Sequence, residues 1–468
     1  MKITKLDERV HVLDSNTDAL SILQDIVESG VQEEAFYICD VGDIVRKHKI
    51  FKAAMPRVEP HYAVKCNDSH TVLETLAALG TGFDCASKTE INKVLTLGVN
   101  PSRIIFANPA KPMSHIRHAA ATGVRLMTFD NESELFKIKD IFPDAKMVIR
   151  IRCDATIAQC QLGMKFGCDP VSEAPQLLDL ARSLGIDVVG VSFHVGSGCG
   201  EPAVFRRAIA ASRDIFDYAE TLGFNFNLLD LGGGYPGGTG SSIDKIADII
   251  NRALEDYFPD PAVNVIAEPG RFYVASAYTL ACNIHSIRTV NVSDPVTGNP
   301  NKHIMYYIND GVYGSFNCLL YDHQHVVPIP LKINAGAKYY RSSVWGPTCD
   351  GLDQVVENHM LPEMKIGDWL IFEDMGAYTL PVASPFNGFP IPKVHVVADQ
   401  NIWMLLKDMF PLSENHFVIG NTKANLRVGL DTPDGWTMPS LPITIPICNG
   451  GKIIEEHILD YVQIGSLN

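Results

Sequence analysis

The 468-residue sequence is short of positive charge: 39 Lys and Arg stand against 54 Asp and Glu, a formal net charge of −15. That deficit excludes a nucleic-acid groove built from bulk charge and adhesion to anionic membranes. An acidic surface favours cationic small molecules, but only weakly. The charge-free run 272–287 falls short of the ~20 apolar residues of a membrane span, and it carries Ser, Thr, Asn and His. The opening Met1-Lys2-Ile3-Thr4-Lys5-Leu6-Asp7-Glu8 lacks the apolar stretch of a signal peptide. The 11 cysteines, scattered from Cys39 to Cys448, include no pair at C-x-x-C spacing, so neither a zinc site nor a thioredoxin-type pair is signalled and no metal is expected. In a chain this long they read as reduced thiols, most of them small core residues. No fixed internal repeat, low-complexity tract or long linker is evident. With 46% hydrophobic and 20% charged residues, the expectation is a soluble, cytoplasmic globular protein with two to three domains' worth of chain.

What is present is a rhythm. From about residue 60, short apolar or β-branched runs ending in polar residues or glycine alternate with segments whose apolar residues recur at helical spacing. Strands are expected at residues 61–65, 82–85, 104–107, 126–128, 147–151, 188–193, 228–231 and 264–267, with helices such as 71–79, 89–97, 205–222 and 244–257 between them. Strands joined through helices pair in parallel by right-handed crossovers. Eight such units are the number that closes a (β/α)8 TIM barrel; a doubly wound open sheet is the alternative on rhythm alone. The rhythm stops near residue 275. Beyond it, β-branched and aromatic runs at 304–308, 326–333, 369–372, 393–397 and 443–448, punctuated by Gly and Pro, read as antiparallel β. The expected organisation is a barrel over 36–275 and a C-terminal antiparallel β domain over 276–468 that also takes in 1–35. From about residue 410 the tail is divergent, with Ile453, Ile454, Ile458, Leu459, Tyr461 and Val462 near helical spacing.

Barrel enzymes carry their chemistry at the C-terminal ends of the strands. There this sequence places Lys65, Asp84, Arg150, His194, Gly196-Ser197-Gly198, Asp230, Gly232-Gly233-Gly234 and Glu268-Pro269-Gly270-Arg271. Lys65 reads either as the first solvated residue after a strand or as a partly desolvated amine. In the second case its lowered pKa makes it nucleophilic toward a carbonyl, as a Schiff base requires. The three glycines read as a tight turn or as backbone N–H groups closing on an anion, since the loops after strands seven and eight form the usual barrel phosphate cradle. Arg271 and Ser197 would add a guanidinium fork and a hydroxyl. The spacing is not a Rossmann fingerprint. Glu268 is costly to bury unless paired, either with Arg271 or with a protonated ring nitrogen. His194 reads as a satisfied core histidine or as a flat ring stacked on a planar cofactor. A Schiff-base lysine, a phosphate cradle and a carboxylate for a pyridinium together point to pyridoxal 5'-phosphate.

Longer motifs carry a resemblance. Pro60-His61-Tyr62-Ala63-Val64-Lys65-Cys66-Asn67, Gly82-Phe83-Asp84-Cys85-Ala86-Ser87-Lys88-Thr89-Glu90, Ser192-Phe193-His194-Val195-Gly196-Ser197-Gly198, Gly232-Gly233-Gly234-Tyr235-Pro236-Gly237 and Ala267-Glu268-Pro269-Gly270-Arg271 are joined by Leu320-Tyr321-Asp322-His323, Trp345-Gly346-Pro347-Thr348-Cys349-Asp350-Gly351 and Met375-Gly376-Ala377-Tyr378-Thr379. From about residue 30 to about 410 the chain resembles the eukaryotic ornithine decarboxylases, in the alanine-racemase-like (group IV) family of pyridoxal-phosphate-dependent decarboxylases. The resemblance implies a barrel followed by a β domain, and a head-to-tail homodimer with shared active sites at its interface. It implies Lys65 as the cofactor's Schiff-base lysine, His194 stacked on its ring, and Ser197, Gly234, Arg271 and Tyr378 on its phosphate, beside Gly232, Gly233 and Gly270. It sets Glu268 at the ring nitrogen, Arg150 near the phenolic oxygen and Asp84 near the Schiff base. Asp322, following Tyr321, and Asp350 from the partner subunit would receive the distal ammonium of L-ornithine, and Cys349 would return a proton to Cα. Without the resemblance Cys349 reads as a buried thiol, and Asp322 and Asp350 as surface acids.

The implied reaction is release of CO2 from L-ornithine to give putrescine, the first step of polyamine biosynthesis. A non-catalytic antizyme-inhibitor-like paralogue is the alternative of another class; retention of Lys65, His194, Glu268, Cys349 and Asp350 argues against it. Side activity on lysine stays open, because one methylene is worth only ~1–3 kcal/mol of discrimination. Residues 108–135 resemble the antizyme-binding region of animal enzymes, which leaves an antizyme open as a partner.

Overall fold

The computed structural model describes residues 9–14, 17–160, 162–293 and 300–420. Eight parallel strands form a closed barrel: β1 (Val58–Ala63), β2 (Gly82–Cys85), β3 (Ile104–Phe106), β4 (Leu126–Phe129), β5 (Lys146–Arg152), β6 (Asp187–His194), β7 (Leu228–Asp230) and β8 (Asn264–Ala267). Strand β8 returns to β1 with Val265 opposite Val58 and Ala267 opposite Pro60, which decides for a barrel over an open sheet. The strands read as continuous apolar runs because both their faces are covered. Inside, Ile105, Val148, Val189, Leu228 and Ile266 make their own cluster; outside, the larger core lies under the helices. Helix starts follow their capping residues. Ser87 Oγ accepts the Glu90 N–H at 3.3 Å while the Glu90 carboxylate accepts the Ala86 N–H at 2.6 Å, opening the helix Lys88–Thr96.

Strand β1 ends two residues before the expected boundary. Val64–Cys66 is a 3-10 turn, so Lys65 stands on the turn rather than on the strand. The chain leaves the barrel there to meet the second domain, where Cys66 O accepts the Tyr378 N–H at 2.9 Å and Asn67 Nδ2 donates to Gly376 O at 2.9 Å.

The second sheet is mixed, not antiparallel as the sequence suggests. Its order runs Gln354–Pro362, Tyr339–Trp345, Pro300–Ile308, Tyr278–Ser293, Phe36–Asp40, Lys393–Ala398, Val10–Val12 and Phe417–Val418. Trp369–Phe372 also pairs with Tyr278–Ser293. Lys393–Ala398 runs parallel to both Val10–Val12 and Phe36–Asp40, because the helix Ala19–Ser29 crosses over and returns the chain in the same direction. Pro300–Ile308 and Tyr339–Trp345 are also parallel. Phe36–Asp40, assigned to the barrel on rhythm, hydrogen-bonds into this sheet. Residues 443–448 and the apolar positions from Ile453 to Val462 lie outside the described residues.

The long gap between β5 and β6 holds the strand Ala158–Cys160, which pairs antiparallel with Ser197–Cys199 just past β6 and lays a two-stranded flap beside the barrel mouth. Among the described residues no helix is long and apolar enough to cross a membrane, no cluster of His, Cys, Asp and Glu could hold a metal, and the cysteines are free thiols.

Candidate active site at the barrel mouth

One cavity at the C-terminal end of the barrel gathers most of the predicted set. Lys65, His194, Ser197, Gly233, Gly234, Glu268, Gly270, Arg271 and Tyr378 line it. The Lys65 ammonium pairs with the fully buried carboxylate of Asp84 on β2. Burial pulls the amine's pKa down, but the charges of Asp84 and Glu268 outweigh it and hold the amine above its ordinary value. The sequence reading expected a depressed pKa; desolvation acts as anticipated, and the neighbouring carboxylates reverse its effect.

Glu268, at the end of β8, is buried, and its Oε1 has no hydrogen-bond partner among the described residues. Burial first, then the charges of Asp230 and Asp84, push it well above the usual carboxylate range. It does not pair with Arg271, so the structural alternative for this residue falls. Asp230, which the sequence reading left without a role, closes β7 beside it. Its Oδ1 accepts the Gly232 N–H at 2.9 Å, and burial lifts its pKa to about 7.

His194 Nδ1 accepts the Gly196 N–H at 3.0 Å, so the ring's proton sits on Nε2. Burial, with help from Arg150 and Lys65, keeps the imidazole well below its ordinary pKa and therefore neutral. The glycines after β7 sit where no side chain fits. A Cβ on Gly233 would lie 2.7 Å from His194 Nε2, and one on Gly234, at φ +116°, 2.9 Å from Gly196 O. A Cβ on Gly232 would run into Phe193 O, and one on Gly270 would lie 2.9 Å from Cys66 Cβ.

Arg271 crosses to the opposite wall. Its Nη2 donates to Ser197 Oγ at 3.0 Å and to Asp322 Oδ1 at 2.6 Å, and its guanidinium lies over the Tyr378 ring at 5.2 Å. Its Nε has no partner among the described residues. Tyr378 adopts φ +56°, which the backbone bond to Cys66 holds in place. Asp322 is buried at 5% exposure, not the surface acid its sequence context suggests, whereas Tyr321 beside it is 69% exposed. Arg150 does not line the cavity; its guanidinium lies 5.3 Å from the Phe166 ring centre.

Cys349 and Asp350 stand apart. Cys349 is exposed, and its N–H donates to Asn387 Oδ1 at 3.1 Å. Asp350 accepts the Tyr313 hydroxyl and, at 3.0 Å, the Leu352 N–H, which together hold its carboxyl below the usual range. Neither lines the Lys65 cavity.

Gln159 on the flap is a member that sequence reasoning missed; its Nε2 donates to Asp322 O at 2.6 Å. No spacing rule connects residues so far apart in the chain.

The cavity fits pyridoxal phosphate on its own terms. It offers an amine at the mouth, a buried carboxyl whose Oε1 has no partner among the described residues and suits a ring N–H, a neutral imidazole beside it, and a glycine cradle with Arg271 and Ser197 for a phosphate.

Comparison with known proteins agrees. The family described as pyridoxal-dependent decarboxylase, pyridoxal binding domain, matches residues 41–275. The chain is 50% identical over 417 residues to ornithine decarboxylase of Rattus norvegicus, spanning 87% of this chain and 90% of that one. It is also 50% identical over 394 residues to antizyme inhibitor 2 of Xenopus laevis, spanning 82% and 86%. Among solved structures, the Paramecium bursaria Chlorella virus arginine decarboxylase bound to agmatine superimposes with a TM-score of 0.76 at 37% identity, covering 81% of this chain and 100% of that one.

Proposed function

This chain belongs to the pyridoxal-dependent decarboxylases, and on that premise we propose that it converts L-ornithine to putrescine and CO2 in the cytoplasm, as a homodimer. The observation that carries the reading is the joint occurrence, in one cavity, of the Lys65 amine, the buried Glu268 carboxyl with its Oε1 unpartnered among the described residues, and the Arg271–Ser197 cradle. Bound pyridoxal phosphate supplies a carbonyl for an amine and a ring that accepts electrons from the bond being broken.

The residues divide the work. Arg271, Ser197 and the N–H groups of Gly233 and Gly234 would grip the phosphate. Glu268 would hold the ring nitrogen's proton, which its raised pKa suits it to share. Neutral His194 packs without adding charge to the ring face. Lys65 must lose a proton before it can act as a nucleophile, and the Asp84 carboxylate bonded to it holds and orients the protonated amine until then. Asp322 would take the substrate's distal ammonium. Cys349 and Asp350, delivered by a second copy of the chain, would return the proton to Cα and complete the ammonium site. The free thiols support a reducing compartment.

Identity alone does not separate this reading from an antizyme-inhibitor-like binding protein, since both kinds of relative stand at 50%. The residues do: Lys65, His194, Glu268, Cys349 and Asp350 are all retained. The deciding experiment supplies pyridoxal phosphate and L-ornithine labelled in its carboxyl carbon, with lysine in parallel, and traps the CO2. Release from ornithine that is slower from lysine and lost in Lys65→Ala is the expected result. No release from a folded protein that takes up no cofactor would sink the reading in favour of a regulatory paralogue, whose partner would be an antizyme.

A further inference from the structure

Gln159 sits in the middle of the flap strand Ala158–Cys160, opposite the Ser197–Cys199 strand. Alternate glycines make room for it. A Cβ on Gly196 would lie 2.8 Å from Cys160 O, and one on Gly198 would lie 2.8 Å from Gln159 Oε1 and 2.9 Å from its Cβ. The Gln159 side chain is therefore laid across Gly198, and its amide reaches a segment more than 160 residues away. Nε2 donates to Asp322 O at 2.6 Å and lies 3.2 Å from Asp322 Oδ2 and 3.3 Å from Gln324 Oε1. An amide nitrogen has two hydrogens; one goes to the backbone carbonyl, and the other is shared between the carboxylate and Gln324.

The buried carboxylate of Asp322 is thus held from two sides of different character. Oδ1 faces the charged Arg271 at 2.6 Å, and Oδ2 faces a neutral amide. A phosphate that draws on the Arg271 fork weakens the one full positive charge bonded to Asp322 among the described residues. What remains fixes the acid's direction without neutralising it, and a buried carboxylate so placed favours a cation. A lysine or arginine at position 159 would supply that cation itself; an apolar residue would take away the amide that faces Oδ2 and holds the backbone of Asp322.

We propose that Gln159 is a positioning residue for substrate specificity: by holding both the backbone and the carboxylate of Asp322, it sets the acid's distance from the Lys65 cavity and so the length of diamino acid that fits. The inference rests on the reading of Asp322 as acceptor of the distal ammonium.

The test is Gln159→Leu, which keeps bulk over Gly198 and removes both donors. With a charge-assisted bond lost, KM for L-ornithine should rise about tenfold while kcat stays within about twofold. Preference for ornithine over lysine should narrow by a similar factor. The calorimetric Kd for putrescine should weaken with KM, and pyridoxal phosphate affinity, read by absorbance titration, should match the parent. An unchanged KM and substrate ratio overturn the inference. So does a parallel loss of cofactor affinity, which would make the flap a part of the phosphate site instead. If the parent releases no CO2 from ornithine, the activity reading fails. Putrescine binding lost in Gln159→Leu would still support the inference in that case, and putrescine binding unaffected by the substitution would overturn it.

Discussion

Around Lys65, charge outweighs desolvation, and the balance has a measurable cost in stability. Asp84, Asp230 and Glu268 are all buried, and each has one oxygen without a partner among the described residues. Burial pushes Asp230 from 3.8 up to about 7. Below 3.8 the group is protonated whether the chain is folded or not, and it adds nothing. Between 3.8 and 7 the folded chain keeps a proton that the unfolded chain releases, so stability falls as pH rises through that window; above 7 the penalty is complete. Asp230→Asn keeps an acceptor for the Gly232 N–H and removes the charge. Its cofactor-free protein should melt higher than the parent at pH 8, by roughly 3 °C or more, with the difference shrinking toward pH 4.5. A constant difference across that range, read by calorimetry, would mean that Asp230 is not the group responsible.

Elements make the site by meeting at their ends, and two of these meetings can be probed singly. The loop after β7 passes under His194, and a methyl group at Gly233 would lie 2.7 Å from its Nε2 and 3.1 Å from Glu268 O. Gly233→Ala should therefore displace the imidazole and weaken pyridoxal phosphate binding at least about tenfold. Melting temperature should hardly move, because the loop lies outside the barrel core; equal cofactor affinity would refute the close approach. Lys111, in the loop after β3, ties that loop to β4 and to the helix Glu132–Ile141: its Nζ donates to Thr128 O at 2.6 Å and Asn108 O at 3.1 Å and pairs with Glu134 at 2.9 Å. Lys111→Met leaves these acceptors buried and should cost about 3 kcal/mol in urea unfolding. A loss under about 1 kcal/mol would show that Lys137, 2.5 Å from the same Glu134, satisfies the carboxylate alone. Much of this was legible in the sequence. The alternation of apolar runs with helical spacing located all eight barrel strands, and reading off strand ends found Lys65, His194, Glu268 and Arg271. What escaped was long-range pairing. The Gln159–Asp322 bond, the burial of Asp322 and the parallel pairs of the second sheet join segments far apart in sequence, and no local period records such a contact. The direction of the Lys65 pKa escaped for the same reason, since it depends on the charges of Asp84 and Glu268, supplied by two other barrel strands.

At the scale of the whole molecule, two residues of the proposed site stand away from the Lys65 cavity. The Lys65 cavity has an amine, an anion cradle and a buried acid, yet exposed Cys349 and half-buried Asp350 lie on a separate loop whose groups are already bonded. Asn387 bonds the Cys349 N–H, Tyr313 bonds Asp350, and Phe386 packs on Tyr313 with ring centres 4.4 Å apart. Apolar surface surrounds this loop: Leu352 and Tyr321 are each 69% exposed, and Phe386 42%. A thiol proton donor on a bonded loop, beside exposed apolar side chains, fits delivery into a second copy's cavity, and two-fold symmetry would then make both sites of a dimer composite. Composite sites predict complementation. Lys65→Ala and Cys349→Ala homodimers should each be nearly inactive. Mixed under conditions that exchange subunits, half of the dimers become hybrids. Each hybrid holds one site with both defects and one with neither, so the mixture should recover about a quarter of parental activity. Activity that stays at the level of the two separate variants after verified exchange would place Lys65 and Cys349 of each working site on the same chain. The loop at Cys349 would then have to fold back onto its own barrel.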